Sequence, residues 1–171
     1  LHEAIKEMDG EMTARFNDTF ISIRAQFKEA FRELFGGGQA DLVLIDPNNL
    51  LETGIEIVAQ PPGKKLQSLS LLSGGERALT AIALLFAILN TRPVPFCILD
   101  EVEAALDESN VIRYSEYLKK YSKETQFIVI THRKGTMEGA DVLYGITMQE
   151  SGVSKLVSVK LEEDVPVAKG V

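Results

Sequence analysis

The sequence predicts an α/β fold: a mostly parallel sheet with flanking helices, behind one long N-terminal helix. Three observations carry that reading. Apolar residues Ile5, Met8, Met12, Phe16, Phe20, Ile23, Phe27, Phe31 and Leu34 recur at a mean spacing of about 3.6 residues, the α-helical period. Beyond residue 70, helical patterns at 73–90 and 108–123 alternate with short apolar runs at 96–99 and 126–130. Such alternation sets strands in parallel beneath covering helices, with the functional crevice beyond their carboxyl ends. Turn signals separate the parts: Gly36-Gly37-Gly38, a Pro-Asn-Asn run at 47–49, and Pro61-Pro62-Gly63.

Residues 1–35 read as a coiled-coil arm stub entering a globular body at 36–171. Glu3, Lys6, Glu7, Glu11 and Arg15 fill the other faces of the early helix, as at the end of a coiled coil. The Phe-rich second part reads as the stretch that docks onto the body. Because the chain begins at Leu1 in mid-helix, it reads as a piece of a longer protein. Residues 41–45 and 54–58 alternate like strands, and two more strands, near 142–148 and 155–161, flank a turn at Ser151-Gly152. The tail from Glu162 is polar and reads as frayed.

Composition excludes several function classes. With 18 Lys and Arg against 25 Asp and Glu, the net charge is −7, so the chain as a whole does not attract nucleic acid. Lys119, Lys120 and Lys123 lie among acids and read as a solvated helix face. A single cysteine, Cys97, rules out an internal disulfide framework and fits a reducing cytoplasm. It sits in the apolar run Phe96-Cys97-Ile98-Leu99 and reads as core filler. No signal peptide is visible, and the longest apolar run, 78–89, is too short to span a bilayer.

Three sites carry chemistry. The run Phe96-Cys97-Ile98-Leu99, expected to be a buried strand, ends in Asp100-Glu101. In a nucleotide hydrolase, the first such acid holds Mg²⁺ and the second orients and deprotonates the attacking water. Acids also end strands simply because the chain returns to solvent. Leu72-Ser73-Gly74-Gly75-Glu76 precedes an apolar helix. Ser73 and Glu76 have the spacing of a capping box, but the two glycines each cost about 1 kcal/mol in a helix. They let backbone N–H groups approach an anion at a helix start. Finally, the run at 126–130 ends in Thr131-His132, and a His there can hydrogen-bond a γ-phosphate oxygen.

Together these residues resemble the ATP-binding-cassette (ABC) ATPases. Leu72-Ser73-Gly74-Gly75-Glu76 is similar to their signature motif, and the strand ending in Asp100-Glu101 to their Walker B strand. Ala105-Leu106-Asp107 resembles the D-loop, and His132 the switch His. Within that superfamily, the stretches 73–81, 100–107 and 131–138, with Leu34-Phe35-Gly36-Gly37-Gly38 and 61–65, resemble the C-terminal head segment of a bacterial SMC (structural maintenance of chromosomes) protein. Glu103 stands where Asp is expected, and the resemblance implies that it faces outward and matters little.

The resemblance implies the C-terminal lobe of an ABC-type P-loop ATPase head, with ATP and Mg²⁺ as ligands. A G-x-x-x-x-G-K-[ST] phosphate loop is absent from this sequence. It is expected on an N-terminal head segment of the same protein, so the isolated chain is expected to be inactive. Glu101 is then the catalytic base and Asp100 the metal ligand. Ser73, Gly74 and Gly75 contact ATP held by a second head, Asp107 lines that interface, and His132 faces the γ-phosphate. Expected partners are the second SMC head in a homodimer, a kleisin subunit, and DNA through the whole complex, with no membrane. The implied setting is cytoplasmic, on the nucleoid, in chromosome condensation and segregation. Two rival readings remain: a related coiled-coil DNA-repair ATPase, and a chain that serves mainly as a kleisin-binding platform.

Overall fold

The computed structural model describes residues 2–150 and 152–160. Ser151, Leu161 and the tail from Glu162 lie outside the described residues. The order is α1 (His2–Phe35), β1 (Gln39–Leu44), β2 (Ile55–Gln60), β3 (Gln67–Ser68), a 3-10 turn (Leu69–Leu71) and α2 (Gly74–Thr91). There follow β4 (Phe96–Asp100), α3 (Glu108–Tyr121), β5 (Gln126–Ile130), α4 (Lys134–Glu138), β6 (Val142–Glu150) and β7 (Val153–Lys160).

Along α1 the apolar stripe changes its surroundings. Ile5, Met8 and Met12 are exposed, whereas Phe27, Phe31 and Leu34 are completely buried. Phe31 stacks on Phe35, and this aromatic stretch meets Leu79, Ile82, Ala83 and Phe86 of α2 in the main core. The helix closes on glycine for a geometric reason. Gly36 takes φ +67, and the N–H groups of Gly36 and Gly37 donate to the carbonyls of Glu33 and Arg32, the paired bonds of a Schellman end. Arg113 of α3 donates to the Phe35 carbonyl at 3.0 Å, and Lys120 pairs with Glu33 at 2.9 Å. Arg24 and Lys28 anchor α1 to Asp41 of β1, and the Arg24 guanidinium holds the Asp41 carboxyl down at about 2.

The expected mostly parallel sheet is corrected. Among the described residues, only β4 and β5 pair in parallel, from Phe96 opposite Gln126 to Asp100 opposite Ile130. Strands β1, β2 and β3 form an antiparallel sheet, and β6 and β7 an antiparallel pair. Among strands that pair with each other, only the β4–β5 connection contains a helix, α3, that carries the chain back to the same end; the links between the other paired strands reverse direction. The expected burial of the 96–99 strand is corrected as well. Leu99 is buried and Cys97 half-buried, but Phe96 and Ile98 are 56% and 58% exposed, beside exposed Ile128 and Ile130 on β5. A two-stranded sheet packs one face, and Phe127 meets Phe86 edge-on across it. Burial raises the Cys97 thiol above its ordinary range. No helix of the described residues is long and apolar enough to cross a membrane.

Candidate functional site

The site residues sit at two places: the N-terminus of α2, and the loops after β4 and β5. At α2, Ser73 is the N-cap in extended conformation. The Glu76 N–H donates to Ser73 Oγ, while Ser73 donates its N–H (3.0 Å) and its hydroxyl (2.8 Å) to Glu76 Oε2. This is a full capping box. Lys64 adds an ion pair to Glu76 at 2.8 Å. Lys64 and the cap hydrogen bonds hold the Glu76 carboxyl below the usual range. The Gly74 and Gly75 N–H groups lie in the first turn, which has no partner inside the helix.

The two glycines have different neighbours. A Cβ on Gly74 would meet nothing within 4 Å, whereas one on Gly75 would lie 3.1 Å from the Ala105 carbonyl oxygen. Gly75 therefore lets the tip of α2 approach the loop after β4, two residues before Asp107. That is a packing reason for the second glycine which the sequence reading did not find.

In the loop after β4, Asp100 is the exposed last residue of the strand. Glu101 has φ +48, the one non-glycine residue at positive φ among the described residues. That region costs about 1–2 kcal/mol for a residue with a Cβ, and such strain gathers where geometry serves a site. The Glu101 N–H donates to the Ile130 carbonyl at 2.9 Å, tying the ends of β4 and β5 together. Glu101 Oε1 then lies 3.4 Å from His132 Nδ1, with both side chains more than half exposed. Asp107 caps α3. Its Oδ1 accepts from the Asn110 N–H and the Ser109 hydroxyl, and its Oδ2 from the Asn110 amide. The Asn110 and Ser109 donors lower its carboxyl pKa.

The expectation that Glu103 faces outward is corrected: it is fully buried. Its Oε1 accepts from the hydroxyls of Thr131 and Thr136, and its Oε2 has no partner. The Tyr114 hydroxyl is also buried without a partner, and its pKa is raised by burial and by the nearby Glu103 charge. Arg133 joins the same region, donating to the Leu106 carbonyl at 3.1 Å and to Glu108 at 3.2 Å. Sequence reasoning missed Glu103, Thr131, Arg133 and Thr136. One signal was available: Glu103 is a carboxylate set among Val102, Ala104, Ala105 and Leu106.

No group of three or more His, Cys, Asp or Glu among the described residues could by itself hold a metal ion. Asp100 offers one carboxylate. That fits Mg²⁺ in the mode where a single protein carboxylate shares the ion with phosphate oxygens and water.

Residues 5–155 match the family model described as the RecF/RecN/SMC N terminal domain. The chain is 76% identical over 163 residues to the chromosome partition protein Smc of Bacillus subtilis (strain 168), covering 95% of this chain. It spans about 14% of the length of that relative. Among solved structures, a Pyrococcus furiosus Smc head domain with an extended coiled coil, bound to the C-terminal domain of ScpA, aligns with a TM-score of 0.83 at 44% identity. That alignment covers 92% of this chain and 39% of the other. A structure of SMC ATPases, described for ATP-driven dimerization and DNA-stimulated activation, aligns with a TM-score of 0.81 at 44% identity, covering 86% and 89% of the two chains. The matching model is named for an N-terminal domain. This overturns the placement of the chain in the C-terminal half of a head, which rested on the resemblance of stretches 73–81, 100–107 and 131–138 to that segment, and that placement is withdrawn. What the matches do establish is that this chain belongs to the RecF/RecN/SMC family and corresponds to part of an SMC head.

Proposed function

We propose that this chain supplies phosphate-facing groups to the ATP site of an SMC ATPase head. The observation that carries this reading is the Glu101–His132 pair, 3.4 Å apart at the carboxyl ends of the parallel pair β4 and β5. In this reading Glu101 accepts the proton of a water attacking the γ-phosphate. His132 hydrogen-bonds an oxygen of that phosphate. Asp100 would hold Mg²⁺, which would supply charge neutralisation to the phosphate.

Ser73, Gly74 and Gly75 then meet a nucleotide held by a second head, through first-turn N–H groups and the positive end of the α2 dipole. Asp107 stands beside that contact as the cap of α3. Head-to-head pairing has support in the solved relative described for ATP-driven dimerization. The ScpA-bound head supports a kleisin as a further partner. Since the sequence has no G-x-x-x-x-G-K-[ST] run, the isolated chain binds Mg-ATP weakly and does not hydrolyse it.

The test is Glu101→Gln in the full-length protein. Turnover should fall by about 10²–10⁴-fold, the range for loss of a general base, while ATP-dependent head dimers persist. Loss of the dimers with the turnover would make Glu101 a structural residue and defeat the assignment.

A further inference from the structure

Glu103 is fully buried, yet the chemistry proposed above makes no use of it. A carboxyl in the interior is unfavourable where an apolar side chain of similar volume could fill the same space. Packing alone therefore does not explain it. What it does is hold hydroxyls. Its Oε1 accepts from both Thr131 and Thr136, residues 28 and 33 positions further along the chain, on the segment that follows β5.

The Thr131 hydroxyl is engaged twice. It donates to Glu103 and accepts the Arg133 N–H at 2.9 Å. His132 lies between these two tied residues. Across the gap, Glu101 is pinned by its N–H to the Ile130 carbonyl at 2.9 Å. The Glu101–His132 contact is thus bracketed by a backbone bond on one side and by the Glu103–Thr131 bond on the other. A change of about 1 Å in the placement of a reacting group can alter rate by about 10²-fold, so what sets this spacing bears on turnover.

We propose that Glu103 is a positioning residue: its buried carboxyl clamps residues 131–136 onto the loop after β4 and so sets the distance between Glu101 and His132. This rests on the hydrolytic reading of that pair. Oε1 alone makes both hydroxyl contacts while Oε2 makes none, so what the clamp needs is one acceptor oxygen rather than a full carboxylate.

The experiment compares Glu103→Leu, which removes the acceptor, with Glu103→Gln, which keeps an oxygen in its place, both in the full-length protein. Glu103→Leu should lower kcat for ATP by about 10- to 100-fold, with KM for Mg-ATP within about twofold of wild type. Amide hydrogen exchange across residues 131–136 should speed up in Glu103→Leu. Glu103→Gln should restore slow exchange and bring kcat back to within about threefold of wild type. Should Glu103→Leu fail to fold, Thr131→Val, which deletes one of the two donors, must show the same split between kcat and KM. Unchanged exchange in Glu103→Leu, equal damage in Glu103→Gln, or wild-type kcat in Glu103→Leu beside an inactive Glu101→Gln would each overturn the clamp. Full turnover by Glu101→Gln would instead sink the hydrolytic reading, and Glu103 would have no pair to position.

Discussion

At the tip of α2, the contacts that shape the turn join residues three apart, Ser73 and Glu76, with Lys64 reaching in from twelve residues back. At the ends of β4 and β5, the contacts run from Glu103 to Thr131 and Thr136 and from Arg133 to Leu106, across 27 to 33 residues. In the proposed head pair both regions face nucleotide: the loops that of their own head, the tip that held by the second head. The tip is held by its own neighbours and can form whenever α2 forms. The loops hold their shape only when β4, α3 and β5 are assembled around them. The difference teaches that the helix tip is a local device, whereas the Glu101–His132 pair exists only through tertiary structure.

Substitutions can separate the two regions. Arg133→Met should cost most among those outside the proposed catalytic pair, about 1.5–3 kcal/mol, the range for a lost hydrogen bond to a charged group. It deletes the link to the Leu106 carbonyl and to Glu108, and urea denaturation measures it. A cost no larger than that of a surface change would show that the loops hold themselves without their long-range ties. Gly75→Val comes next, at about 1–3 kcal/mol from overpacking against the Ala105 carbonyl. Gly74→Ala, in open space, should instead be neutral or stabilising by up to about 1 kcal/mol. If the two glycines respond alike in thermal melts, contact between tip and loop is not what separates them.

The two helix caps offer a closer pairing. Ser73→Ala and Asp107→Ala should each cost about 0.5–2 kcal/mol. Asp107 belongs at the upper end, because both of its oxygens accept hydrogen bonds. The reverse order in melting temperature would mean that the Ser73 hydroxyl contributes more to its cap than the two Asp107 oxygens do to theirs.

The smallest effect is pH-dependent. Lys64 and the cap depress the Glu76 carboxyl in the folded state. A depressed folded pKa contributes stability above the unfolded carboxyl pKa of about 4.3, and this is lost as pH falls through the lower folded value. Lys64→Met should therefore be less stable than wild type by up to about 1 kcal/mol near pH 7, and the gap should close below about pH 4. A gap that persists at low pH would assign the loss to packing of the Lys64 stem.

Several elements were legible because adjacent residue types carry them. The Phe27–Phe31–Leu34 spacing marks the buried stripe of α1, Gly36-Gly37 its Schellman end, and Ser73 with Glu76 the cap of α2. The acids at the end of the 96–99 run were visible too, as was His132 after the next strand. The direction of the strands was not legible beyond β4 and β5. An apolar run looks the same whether its partner runs with it or against it, and the connection decides. Nor could sequence show that Phe96 and Ile98 lie on an open face, since exposure depends on which layers are present to cover them.

Glu103 marks the boundary most sharply. As a letter in the run Asp100-Glu101-Val102-Glu103 it is one acid among three, and only its apolar neighbours Val102, Ala104, Ala105 and Leu106 set it apart from Glu101. The sequence by itself determined the three longer helices, their approximate ends, and which residue types stand at the strand termini, because those follow from hydrogen bonds and apolar spacing within about four residues; the short α4 was not read. Only the tertiary structure decided that one of these acids turns inward to meet Thr131 and Thr136 while another opens toward His132. A side chain's burial is a property of the chain's path, and the path is settled by contacts between segments some thirty residues apart.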